Sequence, residues 1–472
     1  MRKNFVCLTA TNGGLDWCRV VLFAGVLLLA ACAQPTAYQR PEAPVPNQWP
    51  GLSTNPQSAT RIQWRQYFVD PRLHALIESA LKNNRDLRVA VARVQEAKAQ
   101  YGIAQADLLP SVNLQAGGAF AGLPAGISGT NQPTTSERYD IAASAISYEV
   151  DFWGRVAGLT EAARNSYLAS EEAQRAFQVS LVSEVATSYF TLLQVEEQLE
   201  SANETLRSRT DSLALVSNAR DAGGTFALEV EQTASLQESA RAAVDSLAHQ
   251  RNTVVNRLNY LVGEVRDDLP KGLPLDQQGL GELLIPGLPS DVLLLRPDVI
   301  AAEKRLLAAH ANIDAARAAF LPKILLTSSV GLASQGLSNL FSGAAWSFQP
   351  LISLPLFDGG RLNASLELAE ARKVVAVAEY ERTIQGAFRE VADLLSARVS
   401  LSRQMRSALL NEKSQQRQRD IARARATIGV SGYLEVMERE RDVIAARQLT
   451  VQLKRAQLET AAQLYKALGG GA

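Results

Sequence analysis

Three histidines, His74, His249 and His310, are the only imidazoles in the 472-residue chain. None belongs to an H-E-x-x-H pair or lies near a cysteine, so no zinc site is spelled out, and they read as ordinary helix residues. A phosphate-cradling G-x-x-x-x-G-K-[ST] loop, a dinucleotide G-x-G-x-x-G turn and a G-x-S-x-G elbow are all missing from the sequence. Carboxylates are plentiful, but they share helix faces with Arg and Lys, which is the pattern of a solvated surface. The sequence thus assigns no catalytic residue, metal ligand or cofactor, and no enzyme is expected. Cys32 is the one residue that invites chemistry. It ends an apolar run from Val20 to Ala31 that follows Arg2, Lys3 and Arg19. The run is too short to cross a bilayer and suits a signal peptide. Leu29-Ala30-Ala31-Cys32 reads as a lipobox, with cleavage before Cys32 and acylation of its thiol; an ordinary secretion signal with an incidental cysteine is the alternative.

The remaining cysteines, Cys7 and Cys18, fall in the same leader, so neither a disulfide framework nor a thiolate metal site is expected beyond it. Basic and acidic residues balance at 48 each, so nothing in the composition suggests a surface built for polyanions. Loss of the leader (residues 1–31) removes Arg2, Lys3 and Arg19 against Asp16 and leaves a net charge near −2. Ala33, in place of an aspartate, points to the outer membrane. Several acyl chains, each methylene worth about 0.8 kcal/mol, make a stable anchor. Residues 32–69, rich in Pro, Gln, Asn and Thr at their start, read as an extended lipid-anchored segment.

The elements that must carry any function are written twice. Asp86 to Pro110 matches Asp298 to Pro322 at an offset of 212. From Gly154-Arg155 against Gly360-Arg361 onward the offset is 206, through Glu184/Glu390, Leu228/Leu434 and Gly263/Gly469. The chain is a tandem duplication, with repeat 1 at 70–263, a Pro/Gly-rich connector at 264–290 and repeat 2 at 291–472. In each repeat an alanine-rich helix stops at a proline and the hydrophobic period changes to two. This gives hairpins at 111–150 and 323–356, with strands of about ten residues, the length that spans a bilayer. Alternation in the second strand of repeat 1 is imperfect. The strands are nearly free of charge, and Phe152, Trp153, Phe320, Trp346 and Phe357 lie at or near their ends. After each hairpin comes Gly-Arg and a proline-free helix on the order of 100 Å long, ended by Gly223-Gly224 or by Gly429 to Gly432 and followed by a return helix. Stripes at Phe177, Leu181, Val185, Tyr189 and Leu192, and at Val182, Ala186, Phe190 and Leu193, require two packing partners.

Four strands cannot cross hydrocarbon as an open sheet, because the edges leave backbone groups unpaired. Several chains must pool their strands. Two chains give a filled eight-stranded barrel, while three give twelve strands and begin to leave a lumen.

The sequence resembles the TolC-type outer-membrane efflux channels, in particular their lipoprotein branch, that of OprM and NodT. The resemblance rests on three motifs in order: Leu288-Pro289-Ser290-Asp291-Val292-Leu293 with Arg296-Pro297-Asp298; Phe320-Leu321-Pro322-Lys323; and Pro355-Leu356-Phe357-Asp358-Gly359-Gly360-Arg361. Leu295 departs from the charged residue expected there. The resemblance implies a membrane α+β fold, namely a homotrimer with a twelve-stranded transmembrane β-barrel, four strands per chain, continued by a long periplasmic α-helical barrel. It further implies a passive exit duct for drugs or other small molecules in a tripartite system, with a periplasmic adaptor protein, an inner-membrane RND pump and outer-membrane lipid as partners. The matching adaptor-binding tip positions are Gly223, Leu228, Val230, Gly429, Leu434 and Val436. The gate candidates are Arg220, Asp221, Arg425 and Tyr433. Simple turn and packing chemistry is the alternative reading of the tip residues. For the whole chain two alternatives stay open: an exit duct of a type I protein-secretion system, and a lipid-anchored coiled-coil scaffold without a pore.

Overall fold

A computed structural model of the chain describes residues 38–46, 48–49, 62–126, 132–224, 226–265, 270, 272–279 and 293–470. The signal peptide, Cys32, the Leu288–Val292 motif and most of the 264–290 connector lie outside the described residues. In chain order the helices are α1 (Trp64–Tyr67), α2 (Pro71–Asn83), α3 (Arg85–Ala106), α4 (Arg155–Asp221), α5 (Ala227–Val262), α6 (Pro297–Ala318), α7 (Arg361–Thr427) and α8 (Tyr433–Ala467). The strands are β1 (Val112–Leu123) and β2 (Thr134–Glu149), between α3 and α4, and β3 (Lys323–Ser334) and β4 (Ala344–Ser353), between α6 and α7. The two longest helices, α4 and α7, have 67 residues each, about 100 Å at 1.5 Å per residue.

Contacts divide the chain into two units of three stretches each. One is Met1–Pro41, Gln95–Ala169 and Glu303–Glu379; the other is Glu42–Val94, Ser170–Ala302 and Tyr380–Ala472. The first unit holds the strands. They form one antiparallel sheet in the order β1-β2-β3-β4, so the hairpins of the two repeats join through β2 and β3. Residues directly opposite share a face. One face therefore carries Val112, Leu114 and Phe120 of β1, Tyr139 and Ile141 of β2, Val330 and Leu332 of β3, and Trp346, Phe348 and Ile352 of β4. The other carries Asn113, Gln115, Arg138, Asp140, Thr327, Ser329, Ser347 and Gln349. Both β1 and β4 are left with one unpaired edge among the described residues.

The uneven alternation in β2 has a local cause. Ala145 opposes Ser328 and Tyr148 opposes Leu326, so β2 holds one extra residue there. Ser147 takes a left-handed φ of 53°, and its amide donates to Thr327 Oγ1 at 3.1 Å. This bulge returns Tyr148 to the apolar face and puts Glu149 on the polar one.

The second unit is cored by Phe68, Leu73, Ile77, Tyr189, Phe190 and Leu464, all nearly inaccessible to solvent. Both expected stripes of α4 are buried from Leu181 to Leu193, and their partners include elements of the same chain. Ser183 Oγ donates to Ala462 O at 3.0 Å, and the Phe68 and Phe190 rings lie 6.5 Å apart. Asp70, fully buried, caps α2 through the Arg72 amide and accepts from Tyr189 Oη, Gln278 Nε2 and the Leu273 amide. Burial and the hydrogen bond to Asp70 raise the Tyr189 pKa, so the phenol stays a donor. One carboxylate thus pins the described part of the connector against α2 and α4.

The duplication persists at the level of single bonds. Asn84 Nδ2 donates to Leu261 O at 2.8 Å, at the end of α5. At the matching positions Arg296 Nη1 donates to Ala467 O at 2.7 Å, at the end of α8. Asn84 also accepts the Leu87 amide and so caps α3. Arg296 instead joins Asp298 and Glu390, at 2.8 and 2.9 Å.

Candidate functional site

Two regions are laid out for work: the amphipathic sheet and the two helix turns. In the sheet the apolar face is bare. Trp346 is 80 % exposed, Leu114 78 % and Ile352 69 %, so no helix among the described residues covers those side chains. Its side chains come from alternate positions of four strands, and Glu137, opposite Phe120, is the one charged residue among the paired positions of that face. No helix among the described residues is long and apolar enough to cross a membrane. At the α4 side of the sheet, Trp153 Nε1 donates to Pro322 O at 2.8 Å, and Arg155 grips Glu149 with two bonds of 2.8 and 2.6 Å. Phe152 and Phe357 are exposed beside these contacts.

The first turn follows α4. Gly223 adopts φ 76°, and the amides of Gly223 and Gly224 return to Arg220 O and Ala219 O. That left-handed ending suits glycine. The second turn repeats it, with Gly429 at φ 74° and the Gly429 and Val430 amides on Ala426 O and Arg425 O. Of the tip residues read from the sequence, Leu228 and Leu434 are exposed, whereas Val230 and Val436 are buried and pack inside their hairpins. The two leucines, and not the valines, are the accessible pair in this chain. Residues two apart on a helix point about 200° apart, so an exposed leucine turns the valine inward. Phe226, Ile428 and Val430 are the exposed apolar tip residues that the sequence reading missed.

Among the described side chains, two gate candidates meet each other and a third pairs elsewhere. Arg220 pairs with its neighbour Asp221 at 2.7 Å, and Arg425 reaches Glu435 at 3.2 Å. Tyr433 is the first residue of α8, and its side chain lies outside the described set. A cluster that the sequence did not disclose ties the hairpins together further along. Glu440 of α8 meets Arg423 of α7 at 2.7 Å and Arg209 of α4 at 3.6 Å. Arg209 is almost wholly buried and also donates to Met437 O at 3.4 Å. Its partners are more than 200 residues away in sequence, and no local signal marks them. Among the described residues no group of His, Cys, Asp and Glu is arranged to hold a metal.

Comparison with known proteins gives a consistent picture. The sequence matches the family described as outer membrane efflux protein over residues 76–264 and 288–470. It is 39 % identical over 456 residues to the solvent efflux pump outer membrane protein SrpC of Pseudomonas putida, covering 94 % of this chain and 97 % of that one. It is 40 % identical over 461 residues to the cation efflux system protein CusC of Escherichia coli, covering 96 % and 99 %. The fold is similar to the open state of the MtrE outer membrane channel of Neisseria gonorrhoeae, with a TM-score of 0.85 at 35 % identity, covering 93 % and 98 % of the two chains.

Proposed function

The chain belongs to the outer membrane efflux protein family and is the outer-membrane channel of an efflux system, and from that premise we propose how it closes and what it serves. Three copies close their sheets into one twelve-stranded barrel, with the apolar face toward lipid and the polar face toward the lumen. The observation that carries this reading is the four-stranded amphipathic sheet with both edges unpaired. Hydrocarbon leaves no water to satisfy those edges, and a further copy of the same sheet supplies the complementary strand. The contact between β2 and β3 already joins one repeat to the next within the chain. Joining β4 to β1 of the following copy repeats it. Helices α4, α5, α7 and α8 then continue the barrel as a periplasmic tunnel.

The conduit is passive. An inner-membrane RND pump drives the cargo, drugs or other small molecules, and a periplasmic adaptor engages the tips through Leu228 and Leu434 together with Phe226, Ile428 and Val430. Adaptor binding shifts the tips toward an open arrangement, which requires tighter binding to that state. The lipid anchor at Cys32 fits the geometry of the N-terminal segment. Arg40 pairs with Glu303 through two bonds of 2.6 and 2.8 Å, and the Tyr38 ring meets that of His310 edge-on at 5.9 Å. Falling residue numbers in this segment therefore follow rising numbers along α6, toward the sheet. Six residues from Tyr38 to Cys32 reach at most about 20 Å. From His310 the helix α6 continues for eight residues to Ala318, a rise of about 12 Å, and β3 begins at Lys323.

Electron microscopy of the protein purified from outer membranes tests the assembly. A threefold tube on the order of 100 Å or more in length, with a detergent belt at one end, is expected. A monomer, or a filament without a belt, refutes the closure. For the tips, alanine at both Leu228 and Leu434 is expected to weaken adaptor binding and drug resistance together. Unchanged binding overturns that assignment.

A further inference from the structure

Within the sheet-bearing unit, α6 lies between the first turns of α4 and α7, and one side of the three helices forms a groove of about 480 Å³. That volume is in the range of small-molecule sites. Its floor is made of small side chains, Ala308, Ala315 and Ala369 among them, and Leu159 and Leu368 add apolar walls. Arg155, Arg305 and Arg372 also line it. Glu149 neutralises Arg155, but Arg305 and Arg372 have no carboxylate partner among the described residues. Arg317, on the same helix but outside the groove, pairs with Glu370 at 3.5 Å, and Arg164 pairs with Glu161 at 3.3 Å. Two uncompensated guanidiniums thus line one groove, in a chain whose total charge is balanced.

The orientation of the groove follows from helix geometry. Glu303 and His310, seven residues apart, share the face of α6 that receives Arg40 and Tyr38. Arg305, Ala308, Ala315 and Ala319 lie on the opposite face at 100° per residue. A segment leading to a lipid anchor runs outside the wall, so the groove faces the lumen. This step rests on the assembly and anchor proposed above.

We infer that this groove is a binding station for amphipathic organic anions travelling along the conduit. Arg305 and Arg372 hold a carboxylate, sulfonate or phosphate by charge-assisted hydrogen bonds, while the alanine floor and the two leucines receive the apolar body. Three such grooves, one per chain, form a cationic collar below the barrel. The collar raises the local concentration of anionic passengers without a deep trap, because the groove stays open on one side and water screens its charges.

The test uses the full-length protein in a non-ionic detergent and naphthalene-2-sulfonate as the probe, measured by equilibrium dialysis against the same detergent without protein. Light scattering on the same sample reads the oligomeric mass. Saturable binding of one probe per chain is expected, with affinity falling at least tenfold in the Arg305→Gln, Arg372→Gln double variant. The Arg317→Gln variant keeps wild-type affinity, and the uncharged naphthalene-2-sulfonamide binds at least tenfold more weakly. Absence of saturable binding overturns the inference. So does binding that survives the double variant, or that is weakened equally by Arg317→Gln. A non-trimeric mass with specific binding overturns the lumenal assignment and not the site, whereas a trimer that does not bind overturns the site and not the ring.

Discussion

If closure repeats the β2–β3 contact, the register between copies can be written down and tested with cysteines. Tyr148 opposes Leu326 and Glu149 opposes Leu325. Adding 206 to the first strand and subtracting 212 from the second puts Leu354 opposite Leu114 of the next copy. Continuing antiparallel, Ser353 falls opposite Gln115 and Ile352 opposite Ala116. Such pairs alternate between Cα separations of about 4.5 and 5.5 Å, both inside the range of roughly 4.4–6.8 Å that a disulfide spans. The chain has no cysteine after Cys32, so the background is clean. Both double variants, Ser353→Cys with Gln115→Cys and Ile352→Cys with Ala116→Cys, are oxidised in outer membranes and run on non-reducing gels. The driving force for this register is large. A ten-residue edge such as β4 turns about five N–H and five C=O groups outward, and several kcal/mol each in hydrocarbon amounts to tens of kcal/mol. Bands at two and three times the mass of the 51.0 kDa chain, less the cleaved leader, are expected, while each single-cysteine variant gives none at three times. Double variants that stay monomeric, or equal cross-linking when one cysteine is moved two positions, refute the argument.

Other predictions follow from buried contacts. Arg296→Ala strands the Ala467 carbonyl and leaves Glu390 and Asp298 without their guanidinium, a loss of about 3–5 kcal/mol for a buried charge network, read as a fall in the urea midpoint. Asn84→Ala removes the matching neutral bond and a helix cap, for about 1–2 kcal/mol, so the ordering of the two variants is itself a test. Burial opposes the Asp298 charge, but the Arg296 hydrogen bonds prevail and hold its pKa below the usual carboxylate value. That contribution is present above the unfolded value near about pH 4 and is lost as the pH falls through the lowered one. The stability gap between wild type and Arg296→Ala therefore narrows on acidification, and a gap that widens refutes the assignment. Gly263→Ala destabilises more than most glycine substitutions, because φ is 79° and a Cβ there would fall inside contact distance of the Asn83 carbonyl. The left-handed conformation alone costs about 1–2 kcal/mol, and calorimetry of the variant checks the sum. Glu440→Gln leaves Arg209 buried without an anion and loosens α8 from α4. Faster proteolysis at the tip turns is expected, and wild-type cleavage rates refute the tie.

What the sequence disclosed and what it hid have distinct physical causes. The hairpin in repeat 2 was legible because Ile324, Leu326, Val330 and Leu332 keep a spacing of two around Ser328, matching an unbroken register of β3 on β4. In repeat 1 the bulge at Ile146–Ser147 adds a residue, so the strand keeps its face while the sequence loses its period. The turns were legible because a left-handed ending leaves a glycine in place, at Gly223 and Gly429. The orientation of side chains beyond them was accessible in principle, since Leu228 and Val230 cannot both face outward on one helix, but matching tip positions to a family motif does not apply that constraint. Arg209, Arg423 and Glu440 were out of reach. Arg–Glu combinations are common on these helices, and only the folded hairpins select which of them meet.

The paired contacts at Asn84 and Arg296 carry a structural argument about the duplication itself. The same carbonyl position is capped at the end of each return helix, by an amide in one half and by a guanidinium in the other. Around the arginine, Asp298, Glu390 and Lys466 form a linked charge cluster. Around the asparagine, the matching positions are Asp86, Glu184 and Tyr260, and the Tyr260 hydroxyl donates to Asp86 at 3.1 Å. The backbone relation is thus preserved while its chemistry has diverged. In a closed ring of three chains the six repeats would therefore alternate, neutral cap after charged cap, and each repeat would meet two neighbours of the other kind. Such alternation distinguishes the contact inside a chain from the contact between chains even though both use one geometry. In such a ring a copy that joined through the wrong edge would place like halves side by side, setting charged cap beside charged cap.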